Sequence, residues 1–171
     1  MKSYLDREIT SETTYLEYGT GEATHIAVAK GARVITVEVD WLLFLENLDR
    51  YETEIANGRV DILYFNVGFL DEQGLPINPN YPIVYKDYVT TPWDHAMRNH
   101  LSPDIVMING LNISDSLEAT YKWAKIPTKI LVNISKNGNR TLDISKVGGM
   151  PYFVDELLVL DYSPTSKDNS E

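Results

Sequence analysis

The chain has no cysteine, which excludes disulfides, thiolate nucleophiles and thiolate metal centres. Histidine is scarce too, with three in all, and neither His25 nor His100, both read as helical, has partners at ligand spacing. No metal centre is expected. No apolar run approaches the ~18 residues of a membrane-spanning helix, so no membrane association is expected. Met1 to Ser11 lacks the apolar stretch of a secretory signal peptide, which makes the cytoplasm the default location. The sequons at Asn112, Asn133 and Asn139 then read as turn asparagines rather than glycan acceptors.

Basic charge is also in short supply. Fifteen Lys and Arg stand against 25 Asp and Glu, a net charge of -10, and no Lys/Arg-rich stretch stands out. Binding a phosphate backbone needs a basic surface, so nucleic acid is not expected as a partner.

What is present is the composition of an ordinary globular chain, 43% hydrophobic and 23% charged. We expect one domain over residues 1–162 and a polar tail over 163–171. Thr13 to Tyr18 reads as a strand, and after two glycines Ala23 to Lys30 reads as a helix stopped by Gly31. The β-branched run Arg33 to Val39 and the helically spaced Trp41 to Ile55 repeat the unit. Val60 to Val67 is a third strand, followed by a proline- and tyrosine-rich loop from Gly68 to Pro92 and a short helix opening at Pro92. Pro103 to Ile108 and Pro127 to Ile134 are strands around a helix at Ser114 to Ala124. Arg140 to Val147 and Glu156 to Asp161 read as a closing hairpin joined through Gly148-Gly149. Such alternation predicts a three-layer α/β/α Rossmann-like sheet, mostly parallel with an antiparallel C-terminal hairpin.

In such sheets ligands bind beyond the carboxyl ends of the strands, near the point where strand order reverses. The first strand ends in Glu17-Tyr18-Gly19-Thr20-Gly21. Its glycines permit a tight turn and close backbone approach, and the next helix presents its unpaired N–H groups. Steric need alone also places glycine pairs in turns. Glu38, about twenty residues on, ends the second strand as an acceptor for ribose hydroxyls; Asp40 is a second candidate or the cap of the following helix. Asn66 ends the third strand, where an amide offers adenine a donor and an acceptor or satisfies its own loop. Asn109 ends the fourth, facing the same crevice.

The segment TYLEYGTGEATHIAVAKGARVITVEVD, with VYKDYVTTPW at 84–93 and PDIVMINGLNI at 103–113, resembles the class I S-adenosylmethionine-dependent methyltransferases. It is most similar to small bacterial and phage proteins carrying LExGSGGST and DGRFR elements. In this chain Glu22-Ala23 and Asn109-Gly110-Leu111-Asn112-Ile113 depart from those elements. The resemblance implies S-adenosylmethionine as cofactor, held by Glu17, Gly19, Gly21, Glu38, Asn66 and Asn109. The acceptor would be a small molecule or saccharide under the 68–92 segment, with Tyr85, Lys86, Asp87 and Tyr88 beside it and Asp94, His95 and Tyr88 as catalytic candidates.

A catalytically silent domain that keeps the fold for binding or assembly is the alternative. A dinucleotide enzyme is disfavoured by the missing third glycine of GxGxxG. An edge hairpin containing Glu156-Leu157-Leu158-Val159-Leu160 suggests a homodimer paired across it.

Overall fold

A computed structural model of the chain describes residues 1–69, 77, 82–136 and 142–164. Its elements, in chain order, are α1 (Lys2–Glu8), β1 (Thr14–Tyr18), α2 (Glu22–Ala29), β2 (Arg33–Glu38), α3 (Trp41–Arg50), α4 (Glu52–Ala56), β3 (Val60–Tyr64), α5 (Pro82–Arg98), β4 (Ile105–Ile108), α6 (Ile113–Trp123), β5 (Thr128–Asn133), β6 (Tyr152–Val154) and β7 (Leu157–Tyr162), with a 3₁₀ turn at Ile134–Lys136. The strands form one sheet in the order β3-β2-β1-β4-β5-β7-β6. β1 to β5 run parallel, and β7 is antiparallel to both β5 and β6. This is the three-layer, mostly parallel sheet that the alternating sequence pattern predicts.

β1 lies between β2 and β4. The chain therefore builds outward from β1 to β3 and crosses back to β4, so strand order reverses beside β1. Helical cover on both faces explains why the central strands carry continuous apolar runs rather than alternating ones. Val34, Ile35 and Val37 of β2 and Val106, Met107 and Ile108 of β4 are all buried. On one face Tyr15, Val34, Met107 and Leu131 pack under α1 and α2 through Leu5, Ile26 and Ala27. On the other, Leu16, Tyr18, Val106 and Ile130 pack under α5 and α6 through Tyr88, Trp93 and Leu117.

Two expectations need correction. The expected Gly68–Pro92 loop contains most of a 17-residue helix, α5, with Pro92 inside it. Proline removes one N–H and crowds the carbonyl four residues back. The carbonyl left without its helical donor is that of Tyr88; the next one, of Val89, accepts the Tyr18 hydroxyl at 2.6 Å, which fastens this turn to β1.

The expected strand over Arg140–Val147 does not form among its described residues either. Arg140 and Thr141 lie outside the described residues, as does Asn139 of the third sequon, and 142–147 form no strand. The partner of β7 is Tyr152–Val154, turned around Asp155-Glu156 with Asp155 at φ 53°. Aspartate tolerates that left-handed conformation, so the tight turn forms there rather than at the glycine pair. The closing hairpin lies at one edge of the sheet, as expected, and within it Leu157–Tyr162 is paired on both sides. The edge strand on that side is the three-residue β6.

Smaller differences follow from local chemistry. The helix expected over 41–55 is two, because Tyr51 leaves helical geometry (φ -111°, ψ 23°) and turns into the core. His100 follows α5 at φ 57° and is not helical. A short helix, α1, precedes β1 and buries Tyr4 and Leu5. No helix among the described residues is long and apolar enough to cross a membrane.

Candidate ligand site at the strand-order reversal

The β1–α2 turn sits where the fold places a ligand crevice. Gly19 adopts φ +83°, a conformation that side chains resist, and its N–H bonds the carbonyl of Val37 at 2.8 Å. A Cβ on Gly19 would lie 3.0 Å from the Cα of Gly110, and one on Gly110 would lie 2.5 Å from the Tyr88 hydroxyl and 2.9 Å from the Tyr18 carbonyl oxygen. The turns after β1 and β4 thus meet backbone to backbone, and both glycines are required by that approach. Gly21, extended, starts α2, and its N–H is held by the Thr24 hydroxyl at 3.0 Å.

Glu17 and Glu38 flank this turn, and both are buried, Glu17 completely and Glu38 to 4% exposure. Glu17 accepts the Thr24 hydroxyl at 2.6 Å, so Thr24 joins the carboxylate to the first turn of α2. Glu38 Oε1 accepts the amides of Val39 (2.7 Å) and Asp40 (2.9 Å). Its Oε2 accepts the Thr20 amide at 2.9 Å and also the Thr20 hydroxyl. A carboxylate buried this deeply needs such donors to offset the loss of water. Through Thr20, the acid that ends β2 is locked to the glycine turn that ends β1.

Asp40 does not join this group. Its Oδ1 caps α3, accepting the amides of Leu42 (2.8 Å) and Leu43 (3.1 Å). Asn109 sits at the end of β4, as expected, and its Oδ1 accepts from Asn133 Nδ2 at 2.8 Å. Asn133 in turn accepts the Ser135 hydroxyl at 2.6 Å, so an amide network links the ends of β4 and β5. Asn66 is exposed, and its Oδ1 accepts the Gly68 amide at 2.8 Å; it satisfies its own loop.

The catalytic candidates scatter. Tyr88 comes closest: it is buried, its ring lies 5.8 Å from that of Tyr18 and 6.1 Å from that of Phe65, and its hydroxyl ends against Gly110. That hydroxyl makes no hydrogen bond of ordinary geometry, although the Leu111 amide lies close enough to oppose the rise in its pKa. Burial pushes its pKa up, and the neighbouring Glu38 adds to the shift, so it stays protonated and cannot serve as a base. Asp94 is exposed on α5. His95 lies where the strands begin, its Nε2 2.7 Å from Asp61 Oδ2, the same oxygen that pairs with Arg33. Arg33 and Asp61 are the first residue of β2 and the second of β3, at the opposite end of the sheet from Gly19 and Gly110. Lys86 and Asp87 are exposed, and the side chain of Tyr85 lies outside the described residues.

Sequence reasoning missed Thr20, Thr24, Asn47 and Asn133. Asn133 was open to the logic that found Asn109, being an amide at a strand end. Asn47 carried a fainter signal as an uncharged polar residue within WLLFLENL, and it is the buried residue of α3.

No protein-family model matches the chain, and no curated protein matches its sequence. Solved structures do match. A methyltransferase-like protein from Silicibacter pomeroyi superposes with a TM-score of 0.77 at 18% identity, covering 96% of this chain and 85% of its own. The fold is that of the class I methyltransferases. An O-methyltransferase from Bacillus cereus, solved with S-adenosylhomocysteine, shares the methyltransferase fold with a TM-score of 0.60 at 14% identity, over 95% of this chain and 80% of its own. So does an RNA methyltransferase from Salinibacter ruber in complex with S-adenosyl-L-homocysteine, at 0.52 and 11% identity, over 100% and 96%. With an RNA enzyme among the methyltransferase neighbours, the expectation against nucleic acid rests on charge alone.

Proposed function

We propose that the chain binds S-adenosylmethionine at the carboxyl ends of β1, β2 and β4 and acts as a methyltransferase on a small-molecule or saccharide acceptor. The observation that carries this reading is the joining of Glu38 to the glycine turn through Thr20 at the point where strand order reverses. Acid, glycine turn and helix start are assembled there, as a ligand with a ribose and a charged amino-acid end requires.

The chain's own contribution is placement. Glu38 would hold ribose hydroxyls, and the Gly19 and Gly110 turns let backbone approach the ligand closely. Glu17, through Thr24, fixes the first turn of α2, and Asn109, braced by Asn133, faces the acceptor side. When bound, the cofactor supplies an electrophilic methyl group, so the main demand on the protein is orientation of the acceptor.

A binding module without turnover is the second reading. It is favoured by the positions of Asp94, in solvent, and His95, tied to Asp61 at the far end of the sheet. Calorimetric titration with S-adenosylmethionine and S-adenosylhomocysteine tests what both readings share. Binding is expected, and Glu38→Gln should weaken it by ~1 to 3 kcal/mol through loss of a charged acceptor. Absence of binding at millimolar ligand would overturn the reading.

A further inference from the structure

We propose that Thr20 is an internal stand-in for a ligand hydroxyl on Glu38, a latch that the cofactor must displace; the inference rests on the site assigned above. An ionised carboxylate offers about four acceptor positions on its two oxygens. Glu38 has all four filled by protein donors: the amides of Val39, Asp40 and Thr20, and the Thr20 hydroxyl. A ribose hydroxyl can bond Glu38 only if one donor leaves.

The four donors differ in how readily they leave. Three are backbone amides set by the turn after β1 and the start of α3, and withdrawing any of them would remodel the backbone at both places. The fourth is a side-chain hydroxyl on a single rotatable bond. Turning Thr20 about χ1 frees a lone pair on Oε2 while its amide keeps Glu38 in register.

The hydroxyl has a second tether. Asn47 Nδ2 donates to Thr20 Oγ1 at 3.2 Å and to the Leu43 carbonyl at 2.7 Å. Asn47 is 6% exposed and is the buried residue of α3. The relay from Asn47 through Thr20 to Glu38 therefore aligns the hydroxyl proton on the carboxylate, and α3 holds the latch shut. Thr20 is accordingly a positioning residue that competes with ligand for one acceptor.

Competition predicts a gain in affinity on losing the hydroxyl, the reverse of what a supporting contact would give. Thr20→Val keeps the shape and removes the O–H. By calorimetry it should bind S-adenosylhomocysteine about three- to ten-fold more tightly than the wild type, the equivalent of one released hydrogen bond. Thr20→Ser, which restores a hydroxyl, should return the affinity to that of the wild type. If Thr20→Val fails to fold because Asn47 is left without its acceptor, Thr20→Val/Asn47→Leu removes both polar partners together and should show the same gain.

Unchanged or weaker binding by folded Thr20→Val or by the double variant, with wild type binding normally, overturns the latch and leaves the assigned site standing. If neither wild type nor variant binds, the site assignment falls and the latch falls with it.

Discussion

The indole N–H of Trp93 donates to the Tyr18 hydroxyl at 2.9 Å, and that hydroxyl donates onward to the Val89 carbonyl at 2.6 Å. Two elements far apart in sequence are thereby fastened at one point. Tyr18 is the last residue of β1, and Val89 and Trp93 flank Pro92 in α5. All three are buried. Tyr18→Phe keeps the ring but leaves the indole N–H without its acceptor and removes one donor from the Val89 carbonyl, and should lower the unfolding free energy by ~1 to 3 kcal/mol. Urea denaturation measures it. A loss under ~0.5 kcal/mol would mean that the distorted turn of α5 satisfies itself.

Tyr88 and Gly110 make a paired prediction. The Tyr88 hydroxyl makes no ordinary hydrogen bond, so Tyr88→Phe should leave stability unchanged or raise it slightly. Gly110→Ala drives a methyl to within 2.5 Å of that hydroxyl and should cost ~1 to 3 kcal/mol, as overpacking of a filled core does. In the Tyr88→Phe background part of that cost should vanish, though not all, because the Tyr18 carbonyl oxygen at 2.9 Å remains. A double-mutant cycle with zero coupling would contradict the packing described.

The strands and the reversal point were legible because β-branched runs bounded by glycine and proline leave few alternatives. That Gly19, Gly21, Glu38 and Asn109 lie near one another was legible for the same reason: each sits at or just beyond the carboxyl end of a strand, and those ends converge in this topology. What failed was punctuation. Pro92 reads as a helix boundary in one dimension, yet it lies inside α5, in a turn fastened to β1 through Tyr18 and Val89. Gly148-Gly149 outweighed Asp155-Glu156 as a turn signal, although the hairpin turns at the second pair. His95 and Asp94 could not be placed at all. Helix direction decides which end of the sheet a residue occupies, and α5 carries Tyr88 to the crevice and His95 away from it.

His25 gives the chain a predictable pH response. Its Nδ1 meets the Tyr51 hydroxyl, and its Nε2 lies 2.8 Å from an Arg50 guanidinium nitrogen. Arginine only donates, so that contact requires an unprotonated Nε2. Burial, and then the charge of Arg50, lower the His25 pKa. Below its ordinary value of about 6.5 the unfolded chain binds more protons than the folded one, so stability must fall as pH drops from neutral through that range. His25→Gln should flatten the slope. The Glu8 carboxyl, held below its usual range mainly by Lys129, adds a separate loss in more acid solution, as pH falls through the carboxylate range. Denaturant titrations across about pH 5 to 7.5 separate the two; an equal slope in wild type and variant would remove His25 from the account.

The position of His95 allows structure and chemistry to be told apart. Its imidazole and the Arg33 guanidinium converge on one oxygen of Asp61, with Asn99 Nδ2 3.2 Å from the imidazole Nε2. This cluster joins the C-terminal half of α5 to the starts of β2 and β3. The side chains are about a quarter exposed, 28% for His95 and 25% for Asp61, so solvent screens the pair and its loss should cost no more than ~1 kcal/mol. His95→Gln should show that small loss of stability together with an affinity for S-adenosylhomocysteine within about two-fold of wild type, a difference under 0.5 kcal/mol. A purely structural contact at the far end of the sheet cannot do otherwise, because none of its atoms reaches the Gly19 turn. If instead affinity fell more than about ten-fold, or 1.4 kcal/mol, in a variant as stable as wild type, α5 would have to carry His95 to the crevice in the bound state, and proton transfer by this residue would become the reading to test.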